Sequence, residues 1–187
     1  MRKTLAVLAV IAAVSLSAPT AFAYTCNSRV LLQIGPGTYY EYIGNPLDTS
    51  DSTCWSLGGS SPVWSSGVSE WEFTTWNDQT AIQTVTAAGT STSYTAQLNV
   101  DFNDSNASWW NALSAQVDVN HNGSHTYYTI FSIIGSGGVT TASGNKFVNF
   151  TAQPGDSITI TVQGRNSYYG SGTVVRFSNV HLWQNGA

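Results

Sequence analysis

Residues 113–134 constrain the fold more than any other stretch of the sequence. Asn122-Gly123 separates two runs in which apolar and polar residues alternate. Asn and Gly are the residues that most easily adopt positive φ, so this dipeptide predicts the two-residue turn of a β-hairpin. Such a turn also fixes the register of the two strands. The expected cross-strand pairs are His121–Ser124, Asn120–His125, Val119–Thr126, Asp118–Tyr127 and Val117–Tyr128.

This hairpin has one apolar and one polar face, because neighbouring side chains of a strand point in opposite directions. The apolar face consists of Ala115, Val117, Val119, Thr126, Tyr128 and Ile130. The polar face consists of Gln116, Asp118, Asn120, His125, Tyr127 and Thr129. An aromatic ring beside a carboxylate and an imidazole favours ligand binding. We therefore predict that Tyr127, Asp118 and His125 bind a ligand.

Most of the remaining chain also shows the patterns of short strands. Alternation or β-prone composition predicts strands at 30–34, 39–43, 70–76, 81–87, 94–102, 147–151, 157–163 and 173–183. In the last of these, the apolar positions shift phase and predict a β-bulge near Ser178-Asn179. Residues 44–69 and 135–145 are predicted loops, and Asp104 is a candidate N-cap for a single helical turn over 103–111. The chain is therefore predicted to be all-β, an antiparallel two-sheet β-sandwich with jelly-roll topology.

The N-terminus has the features of a secretory signal peptide. Arg2 and Lys3 precede an apolar run, and small residues surround a cleavage point after Ala23. We expect residues 1–23 to be removed and residues 24–187 to form a single secreted, extracellular domain without a transmembrane segment. In an oxidising compartment Cys26 and Cys54 are expected to form a disulfide. By closing a loop, this bond should stabilise the folded state by about 3 kcal/mol.

The composition restricts the partners of the protein. Ten acidic residues stand against six basic ones, for a net charge of −4. No basic patch is present, which argues against nucleic acid or an anionic membrane as a partner. A surface of hydroxyl, amide and aromatic groups favours a neutral glycan or polysaccharide. The loop doublets Trp109-Trp110 and Tyr168-Tyr169 are predicted to add aromatic contacts to that ligand.

Two other kinds of site are possible. Asp118, Asn120 and Asn122 fit the opening of a calcium loop, with Thr129 where the closing carboxylate belongs. The hairpin explains the same residues without a metal, so a structural calcium is the alternative and no other cofactor is predicted. Glu70 and Glu72 lie on one side of a predicted strand about 7 Å apart, a spacing that a glycoside hydrolase could use.

Two resemblances to known families add to these predictions. Residues 154–165, PGDSITITVQGR, and 172–183, GTVVRFSNVHLW, resemble the last two strands of jelly-roll carbohydrate-binding modules, with a Phe-x-x-Val-x-Leu strand. This resemblance implies a jelly roll and glycan ligands. Leu31-Leu32-Gln33-Ile34-Gly35 and Ser69-Glu70-Trp71 resemble the Gln and Glu strands of secreted glutamic peptidases, which would assign water activation to Gln33 and Glu70.

Three functional hypotheses follow. The first is a secreted, non-catalytic carbohydrate-binding β-sandwich that uses exposed aromatic and amide side chains. The second is a small secreted hydrolase that uses Glu70 and Glu72 on a glycan or, with Gln33, on a protein. The third is an extracellular structural, adhesive or surface-assembling protein, which the low charge and long Ser/Gly loops also fit.

Overall fold

The structure, a computed structural model, describes residues 26, 30–34, 37–43, 47–105, 110–167 and 172–186. In these residues every regular element is a β-strand, and the predicted all-β class is confirmed. The predicted signal peptide, residues 1–23, lies outside the described residues. The twelve strands are β1 Val30–Ile34, β2 Gly37–Glu41, β3 Ser56–Gly58, β4 Val63–Ser65, β5 Glu70–Glu72, β6 Gln79–Thr86, β7 Ser93–Asp104, β8 Ala112–His121, β9 Ser124–Ile134, β10 Thr140–Thr151, β11 Ser157–Arg165 and β12 Val174–Asn185.

The strands form two antiparallel sheets, as predicted for a β-sandwich. The five-stranded sheet has the order β3-β6-β11-β8-β9. In the seven-stranded sheet, β12 pairs with β7 along one edge, and β7 pairs with β10. The other edge of β12 pairs with β5 near Arg176 and with β2 near Trp183. β1 then pairs with β2 and β4 with β5, so two short hairpin-like pairs join opposite ends of β12.

The central hairpin has the predicted register. All five predicted cross-strand pairs are present, and Asn122 and Gly123 have φ of 51° and 87°. Farther from the turn, Gln116 pairs with Thr129 whereas Ala115 pairs with Phe131, so Ile130 is an extra residue in β9. This bulge keeps Ile130 in the core and turns Phe131 toward Ala115.

A single hydrophobic core lies between the sheets. The inward faces of β8 and β11 in the five-stranded sheet and of β7 and β12 in the seven-stranded sheet supply alternating buried residues. Phe73 and Phe177 stack in it with ring centroids 5.2 Å apart. The predicted bulge in β12 is confirmed, because the register with β7 shifts after Ser178 and Asn179 has φ of 50°.

The sequence-based predictions were wrong in four places. Residues 44–69 contain β3 and β4, and residues 140–145 belong to β10. The predicted strand 70–76 ends at Glu72, because the amides of Thr74 and Thr75 bind the side chain of Gln79 and not a neighbouring strand. Asp104 ends β7, where it pairs with Thr140, and is not the N-cap of the predicted helical turn; residues 106–109 of that turn lie outside the described residues.

The predicted disulfide is present. Cys26 and Cys54 are bonded, with their Cα atoms 5.2 Å apart, and the bond ties the start of the described chain to the segment before β3. In the described residues we find no helix with the length and apolar character needed to cross a membrane.

Candidate functional site

The polar face of the central hairpin brings together three of the predicted ligand-binding residues. The ring of Tyr127 is 61% exposed and lies nearly parallel to that of His125, with an interplanar angle of 15° and centroids 6.1 Å apart. Nδ1 of His125 lies 2.9 and 3.0 Å from the two carboxylate oxygens of Asp118, which hold the imidazole in place. We call Asp118, His125 and Tyr127 the hairpin platform; it is a flat surface with one freely accessible ring.

The same hairpin contains the residues of the calcium alternative. The carboxylate of Asp118 forms a hydrogen bond with His125, and Oδ1 of Asn120 accepts a hydrogen bond of 2.8 Å from the backbone amide of Gly123. Asn122 occupies the turn itself. Within the described part of the chain, no group of three or more His, Cys, Asp or Glu side chains could hold a metal ion.

Trp110, the one predicted aromatic loop residue among those described, lies at the other end of the sandwich. Trp110 is 67% exposed and precedes β8, whereas Tyr127 faces Asp118 near the hairpin turn. Eight residues of extended chain separate Trp110 from Asp118, which is about 26 Å. The predicted ligand set therefore does not form one site. Trp109, Tyr168 and Tyr169 lie outside the described residues.

A pocket of about 430 Å³ opens at this loop end. Trp76 stands at its edge with 71% of its surface exposed. We call this site the loop-end pocket, and its lining residues carry only hydroxyl, amide and aromatic side chains. They are Ser60, Thr74, Thr75, Trp76, Asn77, Asn166 and Ser167.

The buried side chain of Gln79 fixes the walls of the loop-end pocket. Its Oε1 accepts hydrogen bonds from the amides of Thr74 (2.7 Å) and Thr75 (3.2 Å), and its Nε2 donates to the carbonyl of Ser61. Two loops that approach the pocket from different strands are thereby tied to one side chain. The backbone amide of Asn166 also donates to the carbonyl of Thr75 at 2.7 Å, which links the segment after β11 to the loop after β5. The pocket is consequently organised before any ligand enters.

Arg165 connects Trp110 to this pocket. Its Nε donates to the carbonyl of Trp110, and its Nη1 lies 3.3 Å from Oδ1 of Asp78. Asn111 accepts a hydrogen bond of 2.7 Å from the amide of Ser167. The loop that carries Trp110 and the loop that carries Trp76 therefore meet at the end of β11.

The two glutamates of the hydrolase hypothesis lie beside a single arginine. Glu72 is 5% exposed, and its Oε1 lies 3.0 Å from both Nε and Nη2 of Arg176. Asp101 lies 3.7 Å from Nη1 of the same guanidinium. Burial raises the pKa of Glu70, Asp101 and Glu72 raise it further, and Arg176 acts in the opposite direction. Glu72 is thus engaged in an ion pair, whereas Glu70 holds its proton to higher pH than an exposed glutamate.

The structure does not bring Gln33 and Glu70 together. β1 contains Gln33 and reaches β12 through β2, which pairs with Trp183. β5 contains Glu70 and pairs with β12 near Arg176, at the other end of that strand. The two strands of the glutamic-peptidase resemblance therefore join opposite ends of β12.

A second aromatic groove, of about 290 Å³, lies on the outer face of the seven-stranded sheet. Tyr39, Thr95, Trp183 and Asn185 line it. The ring of Trp183 stacks on His181 with centroids 5.1 Å apart. Sequence analysis did not single out these residues, although the exposed phase of β12 already placed Trp183 opposite the core positions.

Sequence analysis also missed the loop-end pocket, because Trp76 was expected to lie within a strand. The available signal was the segment Asn77-Asp78 directly after it, since both residues favour turns. The buried Gln79 could not have been distinguished from the exposed glutamines by sequence alone.

Comparisons with known proteins show distant likenesses only. No protein-family model and no curated protein matches the chain. One similar solved structure is that of the N-terminal CBM22-1–GH10 modules of endo-1,4-β-D-xylanase 10B from Clostridium thermocellum, complexed with xylohexaose; it has a TM-score of 0.38 and 12% identity over 79% of this chain. Another is the Agl-KA catalytic domain, with a TM-score of 0.34 and 16% identity over 88% of this chain. The match spans 29% of the length of each, and both likenesses are too distant to support a conclusion about this protein.

Proposed function

We propose that this protein is a secreted, non-catalytic glycan-binding protein and that the loop-end pocket is its principal site. One observation carries the proposal: the exposed ring of Trp76 borders a pocket whose other groups are neutral hydroxyls and amides fixed by hydrogen bonds. A pyranose ring offers an apolar face for stacking and hydroxyls for hydrogen bonding, and this pocket complements both.

The pocket also fits a glycan by its size and charge. Its volume of about 430 Å³ falls within the range of small-ligand sites and accommodates one or two sugar rings. Two charged residues that adjoin lining residues of the pocket in sequence, Arg165 and Asp78, lie 3.3 Å apart, so their opposite charges largely offset each other. Binding of a neutral ligand therefore carries little electrostatic cost at this site.

Preorganisation strengthens the case. Asn166 is buried and Gln79 is fully buried, so the groups that line or support the pocket are already ordered. A ligand then does not bear the entropic cost of ordering those side chains. Secretion agrees with the Cys26–Cys54 disulfide, which is typical of oxidising compartments.

Affinity electrophoresis of the full chain on soluble glycans, with pull-down on insoluble ones, tests the proposal. The panel includes xylan, mixed-linkage β-glucan, starch, chitin and pectin. We expect at least one of them to retard the wild type, and Trp76→Ala to weaken that binding by about 5- to 12-fold, since an aromatic contact is worth about 1–1.5 kcal/mol.

Two matched variants locate the site. Phe147→Ala removes a ring that is 65% exposed on β10 and should leave binding unchanged. Tyr127→Ala removes the ring of the hairpin platform; loss of binding in this variant alone would assign the glycan to the platform instead of the pocket. A wild type that no member of the panel retards would contradict the proposed function itself.

A further inference from the structure

The aromatic groove on the outer face of the seven-stranded sheet is distinct from the loop-end pocket. Its lining residues, Tyr39, Thr95, Trp183 and Asn185, lie on neighbouring strands, because Asn185 of β12 pairs with Tyr39 of β2 and Trp183 pairs with Thr95 of β7. β12 begins at Val174, directly after a threonine whose hydroxyl donates to a lining residue of the loop-end pocket. Nine residues of extended chain separate Val174 from Trp183, which is about 30 Å. The groove and the pocket therefore lie at opposite ends of the sandwich.

The ring of Trp183 is held in place by its neighbours. It stacks on the imidazole of His181, with an interplanar angle of 16°. Nδ1 of His181 lies 3.1 Å from Oε2 of Glu41, and Oε1 of Glu41 accepts a hydrogen bond of 3.0 Å from the backbone amide of Leu182. Glu41 is buried and fixes His181 without lining the groove. The indole is therefore already ordered, so a ligand that contacts it bears little entropic cost.

The polar groups of the groove form a connected set with one acceptor to spare. Nδ2 of Asn185 donates to Oγ1 of Thr95 at 3.0 Å and to Oγ of Ser93 at 3.2 Å. Thr95 donates its hydroxyl proton to Oδ1 of Asn149 at 2.7 Å. A hydroxyl has only one proton, so Oδ1 of Asn185, 3.4 Å from the same Oγ1, keeps its capacity to accept a hydrogen bond. Asn185 can therefore accept a ligand hydroxyl beside the two aromatic rings.

We propose that the aromatic groove is a second glycan-binding site and that this protein binds a neutral polysaccharide at two separate points. The inference rests on the proposed function, because it assigns the same class of ligand to a second surface. The lining residues of the groove carry no charge, which favours a neutral saccharide over a charged ligand. A long polysaccharide can occupy both sites at once, whereas a short oligosaccharide fills each of them separately.

Affinity electrophoresis of the full chain on the same glycan panel tests the groove. Trp183→Ala should weaken retardation by the glycan that binds the wild type by about 5- to 12-fold, because one aromatic contact is lost. Combined with Trp76→Ala, the two losses should multiply to about 25- to 150-fold, since sites so far apart act independently. Tyr39→Ala removes the second ring of the groove and gives a further test if Trp183→Ala folds poorly. Phe147→Ala, on the same outer face but outside the groove, is the matched control and should bind like the wild type.

Equilibrium dialysis counts the sites directly. The probe is a tetrasaccharide of the glycan that retards the wild type, which is too short to reach both sites. The wild type should bind two molecules per chain at saturation. In Trp183→Ala one of the two sites should need about 5- to 12-fold more tetrasaccharide to fill, while the other keeps its affinity.

The outcomes separate this inference from the proposed function. One bound tetrasaccharide per wild-type chain, with Trp183→Ala and Tyr39→Ala both binding like the wild type, would overturn the groove and leave the loop-end pocket as the site. Binding that Trp183→Ala weakens and Trp76→Ala does not would support the groove and contradict the pocket. If the glycan-free wild type self-associates in sedimentation velocity and Trp183→Ala abolishes that association, the groove is an interface between two copies and the inference is overturned. A wild type that binds no glycan of the panel contradicts both.

Discussion

Gln83 should lower the stability of this protein, and its replacement by methionine should raise it. The side chain is 3% exposed and points into the core from β6, where its backbone faces Ile160 of β11. Both Nε2 and Oε1 are buried without hydrogen-bond partners. Burying an amide in this state costs about 1–3 kcal/mol relative to water. Methionine has a similar unbranched shape and adapts to irregular space, so Gln83→Met removes the cost with little repacking.

We expect Gln83→Met to stabilise the fold by about 1–2 kcal/mol, since some packing is lost in the exchange. For a chain of this length that corresponds to a rise in melting temperature of about 2–8 °C. The measurement is urea unfolding followed by tryptophan fluorescence, with the slope m compared between variants. An unchanged m with a higher midpoint assigns the effect to stability and not to the denatured state.

Gln79→Met is the matched control, because Gln79 lies on the same face of the same strand. It is equally buried, but both ends of its amide are bonded, to Thr74, Thr75 and Ser61. Its replacement should destabilise the protein by about 2–5 kcal/mol, since three backbone groups lose their partner. A lower midpoint for Gln83→Met would refute the reasoning and would mean that an ordered water satisfies the Gln83 amide.

Two further predictions concern the carboxylates beside β12. Burial raises the pKa of Glu70, so the protonated form is favoured in the folded state and stability falls as the pH rises above about 4.5. Between pH 4 and 7 the free energy of unfolding of Glu70→Gln should therefore rise relative to that of the wild type. The gain should stay below about 1 kcal/mol because the group is partly solvated. Urea midpoints that differ by the same amount at every pH would contradict this prediction. Arg176→Met should destabilise the fold by about 3–5 kcal/mol, because it leaves the buried Glu72 without a counter-charge. Combining Arg176→Met with Glu72→Gln should recover part of this loss. If the double variant is no more stable than Arg176→Met in urea unfolding, the lost ion pair is not the cause.

Local chemistry explains which parts of the fold could be predicted from the sequence. The central hairpin depends on Asn122 and Gly123, whose positive φ is a property of the residues themselves, so the register followed from the turn. The bulge at Ser178 was visible as a shift of the apolar phase within one strand. In both cases a few neighbouring residues contain all the information.

The short strands and the loop end could not be predicted because their causes are distant in sequence. β3 and β4 have little alternation and form because β6 and β5 offer free edges for pairing. The loop-end pocket depends on Gln79, which binds two loops at once, and on Asn111, which joins residues 56 positions apart. Trp110 was recognised as a candidate ligand contact because it belongs to an aromatic doublet, whereas Trp76 was assigned to a strand that in fact ends at Glu72.

Buried polar atoms without partners occur both in the core and at the loop end, and their remaining hydrogen bonds distinguish their roles. The amide of Gln83 has no partner at either end, so it only costs stability, whereas Asp104 still accepts a hydrogen bond from Asn111 through its other oxygen. Ile160 pairs with both Gln83 and Val117, and Val117 lies six residues, about 20 Å of extended chain, from Asn111 beside Asp104. Effects at such separated positions add. Gln83→Met should therefore shift the melting temperature of Asp104→Asn by the same increment as that of the wild type; an increment that depended on residue 104 would show that the core and the loop end are coupled.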